Sequence, residues 1–170
     1  DVTQELLAFC APAWQSDARV PSYLYELALH ESLHIEVSAL PALPRGHVPT
    51  PLALGRGVEL SQALRLVRYR YAVHELPDAE EDRSEPERRE VQLLVYRSPE
   101  HDVRYLELTP LAYGILTRLL AGDALAVAVQ GAASAEDASL TEAVLSGAAK
   151  LLADLAERGV VRGAAAEPAG

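Results

Sequence analysis

The chain has 170 residues, with 25 acids against 15 bases, one cysteine and no methionine; at that length one hydrophobic core can form without disulfide or metal staples. A net charge of −10 argues against a general nucleic-acid binder or a protein of anionic membrane surfaces, because both are reached through Lys and Arg. The apolar runs fall short of the roughly 20 residues that span a bilayer, no signal peptide opens the chain, and a lone Cys10 permits neither an internal disulfide nor a zinc ribbon, so a cytoplasmic protein is expected.

Residues 1–40 read as helical, as the end of an N-terminal helical domain. Val2 to about Ala13 is predicted as a short helix, with Cys10 a buried structural thiol. Pro21 to Val37 is predicted as a second helix, with Pro21 suited to a first turn and Leu24, Leu27, Ala28 and Ile35 on one face. Across residues 41–63, Pro41, Pro44, Pro49 and Pro51 with Gly46, Gly55 and Gly57 break all periodicity. That stretch is predicted to be a connector with little regular structure.

Residues 64–163 read as an α+β domain. Leu64 to Glu75 alternates with period two: Val67, Tyr69, Tyr71 and Val73 on one face, Arg68, Arg70 and His74 on the other. A charged stretch from Pro77 to Glu90 reads as a solvated loop. Val91–Arg97 and Val103–Leu108 are predicted as two further strands, with the turn at residues 98–102. Thr109–Pro110 is an N-cap followed by Pro at the first helical position. Leu111, Ile115, Leu116, Leu119 and Leu120 make the buried stripe that follows, ending at Gly122. Asp123 is expected to cap a short helix to about Gln130, with a loop from Gly131 to Ala138. Ser139–Leu140–Thr141–Glu142 reads as a capping box for an amphipathic helix that stops at Gly159; Val160 and Val161 suit a short strand. Residues 164–170 read as a disordered tail. Three strands followed by three helices is a winged-helix-like order, here preceded by N-terminal helices.

The sharpest local motif is His30–Glu31–Ser32–Leu33–His34, a match to H-E-x-x-H on a predicted helix. It would place two imidazoles on one face with Glu31 as general base for a zinc-bound water. The remaining requirements of that chemistry fail. The positions of an extended zinc motif hold Val37 and Leu40, Glu36 and Glu59 sit at a helix end and in the connector or its exit, and His47, in a loop within reach, is not required by the pattern. The expected alternative is a helix whose His pair makes local polar contacts at an interface. Arg65, Arg68 and Arg70 beside Tyr69 and Tyr71 form the best basic–aromatic patch, a composition common at protein interfaces.

Several segments, taken in order, resemble one family. Residues 21–28 (Pro-Ser-Tyr-Leu-Tyr-Glu-Leu-Ala) with His30, Glu31 and His34, then residues 64–74, Leu94–Val95–Tyr96–Arg97, residues 103–110 and Leu119–Leu120–Ala121–Gly122 are similar to the HvfC-like proteins. The resemblance covers most of residues 1–162. Two departures stand out: Ala72 falls where such proteins tend to carry Pro, and the family's N-terminal helical domain, which bears a DNA-binding label, is expected to be absent or trimmed. The resemblance implies a non-catalytic accessory subunit. Its expected partners are a ribosomally made precursor peptide and, as a heterodimer, a TIM-barrel enzyme with a multinuclear iron site. It implies no metal or cofactor in the chain itself.

An exposed sheet edge can accept a peptide as an added strand. Val103, Arg104, Tyr105, Leu106 and Glu107 of the third strand, with Lys150, Leu151 and Asp154 of the last helix, are the candidate peptide-binding residues. That expectation requires the third strand to lie at a sheet edge. Arg68, Arg70, His74, His30 and His34 are the candidate partner interface. Two alternatives are a zinc hydrolase using His30-Glu31-x-x-His34 and a winged-helix DNA-binding regulator. The second is opposed by a last helix that holds only Lys150 and Arg158 against three acids, a poor reader of phosphates.

Overall fold

A computed structural model describes residues 2–77 and 84–165, with side chains placed from residue 5 onward except at position 15. The elements in order are α1 (Val2–Ser16), α2 (Leu24–Ala39), β1 (Val58–Leu60), β2 (Leu64–Tyr69), a 3-10 turn (Val73–Glu75), β3 (Val91–Arg97), β4 (Val103–Glu107), α3 (Pro110–Leu120), α4 (Leu125–Ala135), α5 (Glu142–Glu157) and β5 (Val161–Ala164). The fold is mixed α+β, with two small antiparallel sheets, β2-β3-β4 and β1-β5.

The three-stranded sheet is covered on both faces at its central strand. In β3 every residue from Leu93 to Tyr96 is buried, and Val91 as well. Alternation sends Val91, Leu93 and Val95 toward α2, where they pack with Leu33, Val37, Val67 and Tyr69. Leu94 and Tyr96 turn to the other side and pack with Leu64, Ile115, Leu116 and Leu155. Burying each of the aliphatic side chains stabilises the fold by about 1.5–3 kcal/mol. The continuous apolar run of β3 is what a strand covered on both faces requires. The segment read as the end of another domain therefore contributes α2 as one of the layers over this sheet.

Several boundaries differ from the sequence expectation, each for a physical reason. The strand expected to run from Leu64 to Glu75 ends at Tyr69. The Glu26 carboxylate, buried on α2, accepts the backbone N–H groups of Arg70 (2.8 Å) and Tyr71 (3.0 Å) and takes the chain out of the ladder. Pro21 does not open α2; its carbonyl accepts the N–H of Leu24, where the helix begins. The connector holds β1, paired with β5, so Val58 and Val161 are core residues. Ala164 and Ala165, read as the start of the tail, are hydrogen-bonded to Thr50 and Gly57; residues 166–170 lie outside the described residues, as do residues 78–83 of the charged loop.

The expected loop from Gly131 continues α4 to Ala135, because Ala132 and Ala133 are core residues. Asp123 pairs with Arg118 at 3.1 Å instead of capping α4. Thr109 caps α3 as expected, whereas α5 is capped by Thr141 and not by Ser139 of the expected capping box, because the helix starts only at Glu142; each threonine oxygen accepts an N–H three residues on. Cys10 is half-buried.

Candidate functional site

The order β2-β3-β4 leaves two outer edges, and the hydrogen-bond register tells them apart. Just beyond the two ends of the β3–β4 ladder, Leu108 N–H donates to Gln92 O (2.7 Å) and Ser98 N–H donates to Asp102 O (2.8 Å). Both pairs continue the register that sets Leu94 against Leu106 and Tyr96 against Arg104. In an antiparallel ladder bonded and non-bonded pairs alternate. Arg104 and Leu106 therefore bond to β3, and Val103, Tyr105 and Glu107 turn their N–H and C=O groups to the outer side.

The same alternation run through β2 gives a different edge. Arg97 N–H donates to Ala63 O (2.9 Å), so Leu64, Leu66 and Arg68 face outward, followed by Arg70. Here side chains occupy the backbone groups at both ends. Arg65 Nη1 donates to the Leu64 carbonyl (2.6 Å), while Glu36 holds the rest of that guanidinium, and Glu26 takes the Arg70 N–H. Charged side chains folded over an edge protect it from pairing.

Beside β4 runs a groove of about 350 Å3, walled by β4 and α5 with α3 beneath. Leu106, Leu111, Ala112, Ile115, Ala148 and Leu151 make it apolar, and Glu107 and Asp154 add charge. Asp154 holds Arg158 (2.7 Å), whose guanidinium also reaches the Tyr96 hydroxyl (3.2 Å), so this base is committed within the fold. Of the predicted peptide-binding residues, Leu106, Glu107, Leu151 and Asp154 line the groove, while Val103, Arg104 and Tyr105 lie along the strand beside it. Lys150 is exposed and outside the lining. Leu111 and Ile115 of α3, which the sequence presents only as part of a buried stripe, also line the groove.

On the opposite face of β4, Val103, Tyr105 and Glu107 meet α2 and the 3-10 turn. The two histidines of H-E-x-x-H both go to Tyr105. His34 Nδ1 lies 2.6 Å from the Tyr105 hydroxyl, and the His30 ring stacks on Tyr105 with centroids 4.7 Å apart. His30 is buried, its Nδ1 3.4 Å from the Tyr69 hydroxyl. Burial pushes the His30 pKa down to about 4, with help from His74 and His34 nearby, and burial likewise raises that of Tyr69.

Among the described residues, the group of three ligand-type side chains that converges within 4.8 Å is His74, Glu75 and Glu107, not the H-E-x-x-H set. Arg89 pairs with both Glu75 (2.7 Å) and Glu107, so a cation of the chain already balances these carboxylates.

The predicted partner-interface residues fall on two faces. Arg68 lies over the Tyr113 ring, 4.5 Å from its centroid, on the α3 side. Arg70, His74, His30 and His34 belong to the α2 side, where Arg70 is tied to Glu26 (3.1 Å). His30 is covered by Tyr69 and Tyr105 and is only 6% exposed.

No curated protein matches the chain. A family model described as the HvfC C-terminal domain matches residues 61–156. That span is more than half of the chain and contains β2, β3 and β4, α3 and α4, and nearly all of α5, so it includes every wall of the groove. The chain belongs to the HvfC family.

Proposed function

We propose that this protein is an accessory subunit that binds a ribosomally made precursor peptide along β4 and presents it to a partner iron-dependent enzyme. The observation that carries the reading is the position of β4 at the outside of its sheet, beside an apolar groove that β4, α3 and α5 line together. A peptide laid there as a strand exchanges backbone hydrogen bonds with β4, each worth about 0.5–1.5 kcal/mol net. Its side chains alternate between the α2 face and the groove. Backbone bonds supply affinity for any strand, and the groove supplies preference among sequences. Family membership supports the heterodimer with an iron enzyme; Arg68, Arg70, His74 and His34 are the candidate contacts.

The test is elemental analysis of the purified chain, alone and after co-expression with a candidate iron enzyme and its precursor peptide. A metal-free chain that co-purifies with an iron-loaded partner and the peptide is the expected result. Stoichiometric zinc in the chain alone, lost on His30→Ala, would overturn the accessory reading in favour of hydrolysis.

A further inference from the structure

Among the described residues, neither ring nitrogen of His74 makes a hydrogen bond. The side chain is only 12% exposed, and its Nδ1 is buried without a partner. Its Nε2 points at two carboxylates, Glu107 at 3.6 Å and Glu75 at 3.8 Å, both too far for a hydrogen bond. A buried polar group left in this state costs free energy, and its position needs a reason. The backbone supplies the placement. Val73 is buried and anchors the 3-10 turn that carries His74 and Glu75, and Glu107 is the last residue of β4.

The spacing is that of a metal site slightly open. Zinc bound to nitrogen and oxygen at about 2.0–2.2 Å holds tetrahedral ligands about 3.4 Å apart. The three ligand atoms here lie within 4.8 Å of one another, and both glutamates are exposed enough to close on an ion. One imidazole with two carboxylates suits a borderline divalent cation such as zinc, whereas magnesium and calcium take oxygen ligands.

Arg89 stands in the way. Its guanidinium pairs with Glu75 (2.7 Å) and with Glu107, which balances their charge and leaves the imidazole unbonded. Such exposed pairs are weak, and Arg89 Nε also lies 3.6 Å from Glu87, a third acid that keeps the guanidinium once the other two are taken.

We propose that His74, Glu75 and Glu107 form a zinc-type divalent cation site for which Arg89 is the built-in competitor. An ion entering there displaces the guanidinium toward Glu87, gives His74 Nε2 the partner it lacks, and ties the 3-10 turn to the outer strand. The site is separate from the H-E-x-x-H pair, and it depends on neither a peptide nor a partner enzyme. With three ligands and a competing cation, its dissociation constant for zinc is expected on the order of 10 μM, so the ion is lost during purification and the isolated chain stays metal-free.

The test is calorimetric titration of the full chain with zinc chloride, alongside ring-nitrogen NMR of the histidines. One zinc per chain is expected, with the largest shift at His74 Nε2. Arg89→Leu is expected to bind zinc at least about tenfold more tightly and to gain melting temperature on adding it, while His74→Asn and Glu107→Gln each weaken binding at least about tenfold. Glu107 is exposed, so Glu107→Gln and the NMR shift decide the matter even where His74→Asn fails to fold. Zinc binding that Arg89→Leu leaves unchanged, or that survives Glu107→Gln with no shift at His74, would mean an adventitious ion only and overturn the proposal. Binding lost on His30→Ala but kept in Glu107→Gln would move the site to the H-E-x-x-H pair and overturn it equally.

Discussion

Glu26 shows how one residue sets the end of a strand. Its carboxylate is buried, yet it accepts two backbone N–H groups and the Arg70 Nε, and a buried carboxylate is stable only when its oxygens are satisfied in this way. Nothing in the local pattern of residues 64–75 announces this, because the cause sits some 44 residues earlier in the chain. His30 is the second residue whose role came from packing. Its letters suggest a metal ligand, and its surroundings make it a neutral ring between two tyrosines. Folding holds its pKa below the ordinary value of 6.5, at about 4, so the unfolded chain binds the proton first. Stability is therefore full above pH 6.5 and falls as pH drops toward 4, by at most about 1.4 kcal/mol per pH unit for the single proton. In urea melts across that window, His30→Phe, which keeps a ring on Tyr105, is expected to flatten the acid limb relative to wild type; an unchanged limb would place the titration elsewhere.

At the scale of elements, the two edges of the main sheet invite a matched pair of substitutions. Proline removes an N–H and is tolerated where that group faces away from the ladder. Val103 turns its N–H outward and Arg104 turns its own toward Tyr96. Val103→Pro is expected to cost about 1 kcal/mol or less in a chemical denaturation curve while abolishing peptide binding. Arg104→Pro is expected to cost about 3 kcal/mol or more. Equal destabilisation by the two would mean that the register is wrong.

The elements themselves were largely legible. Thr109–Pro110 carries its capping chemistry in the letters, and the apolar run of β3 states that both faces are covered. α4 was cut short because Gly131 reads as a breaker, whereas its missing Cβ makes room for Arg118. The position of β4 at an edge was expected from strand order. The depth of the groove was not, since it depends on α3 and α5 meeting β4 across distances that no window of sequence spans.

At the scale of the whole molecule, the family match and the folding unit do not coincide. The matched span, residues 61–156, leaves out α2, which covers Val67, Tyr69, Leu93 and Val95, and also Val160 and Val161, which are buried against Leu155 and Leu116. A fragment of residues 61–156 is expected to expose one whole face of the sheet and to lose cooperative thermal unfolding, with dye binding typical of loose cores. A fragment spanning residues 20–165 is expected to melt cooperatively. A sharp transition in the shorter piece would show that α2 is ornament.

The pairing of β1 with β5 joins positions about a hundred residues apart in sequence, and that separation bears on the order of events during folding. Closing so long a loop carries an entropic cost that local hairpins avoid. The hairpin of β3 and β4 and the cap-started helices can assemble first, with the ribbon of residues 58–60 and 161–164 added after the rate-limiting step. Substitutions such as Val161→Ala should then accelerate unfolding and leave the refolding rate nearly unchanged in stopped-flow measurements, and an equal slowing of refolding would put the ribbon in the nucleus. A chain emerging from the ribosome would expose the hairpin of β3 and β4 and the start of α3 well before the strand that closes the ribbon.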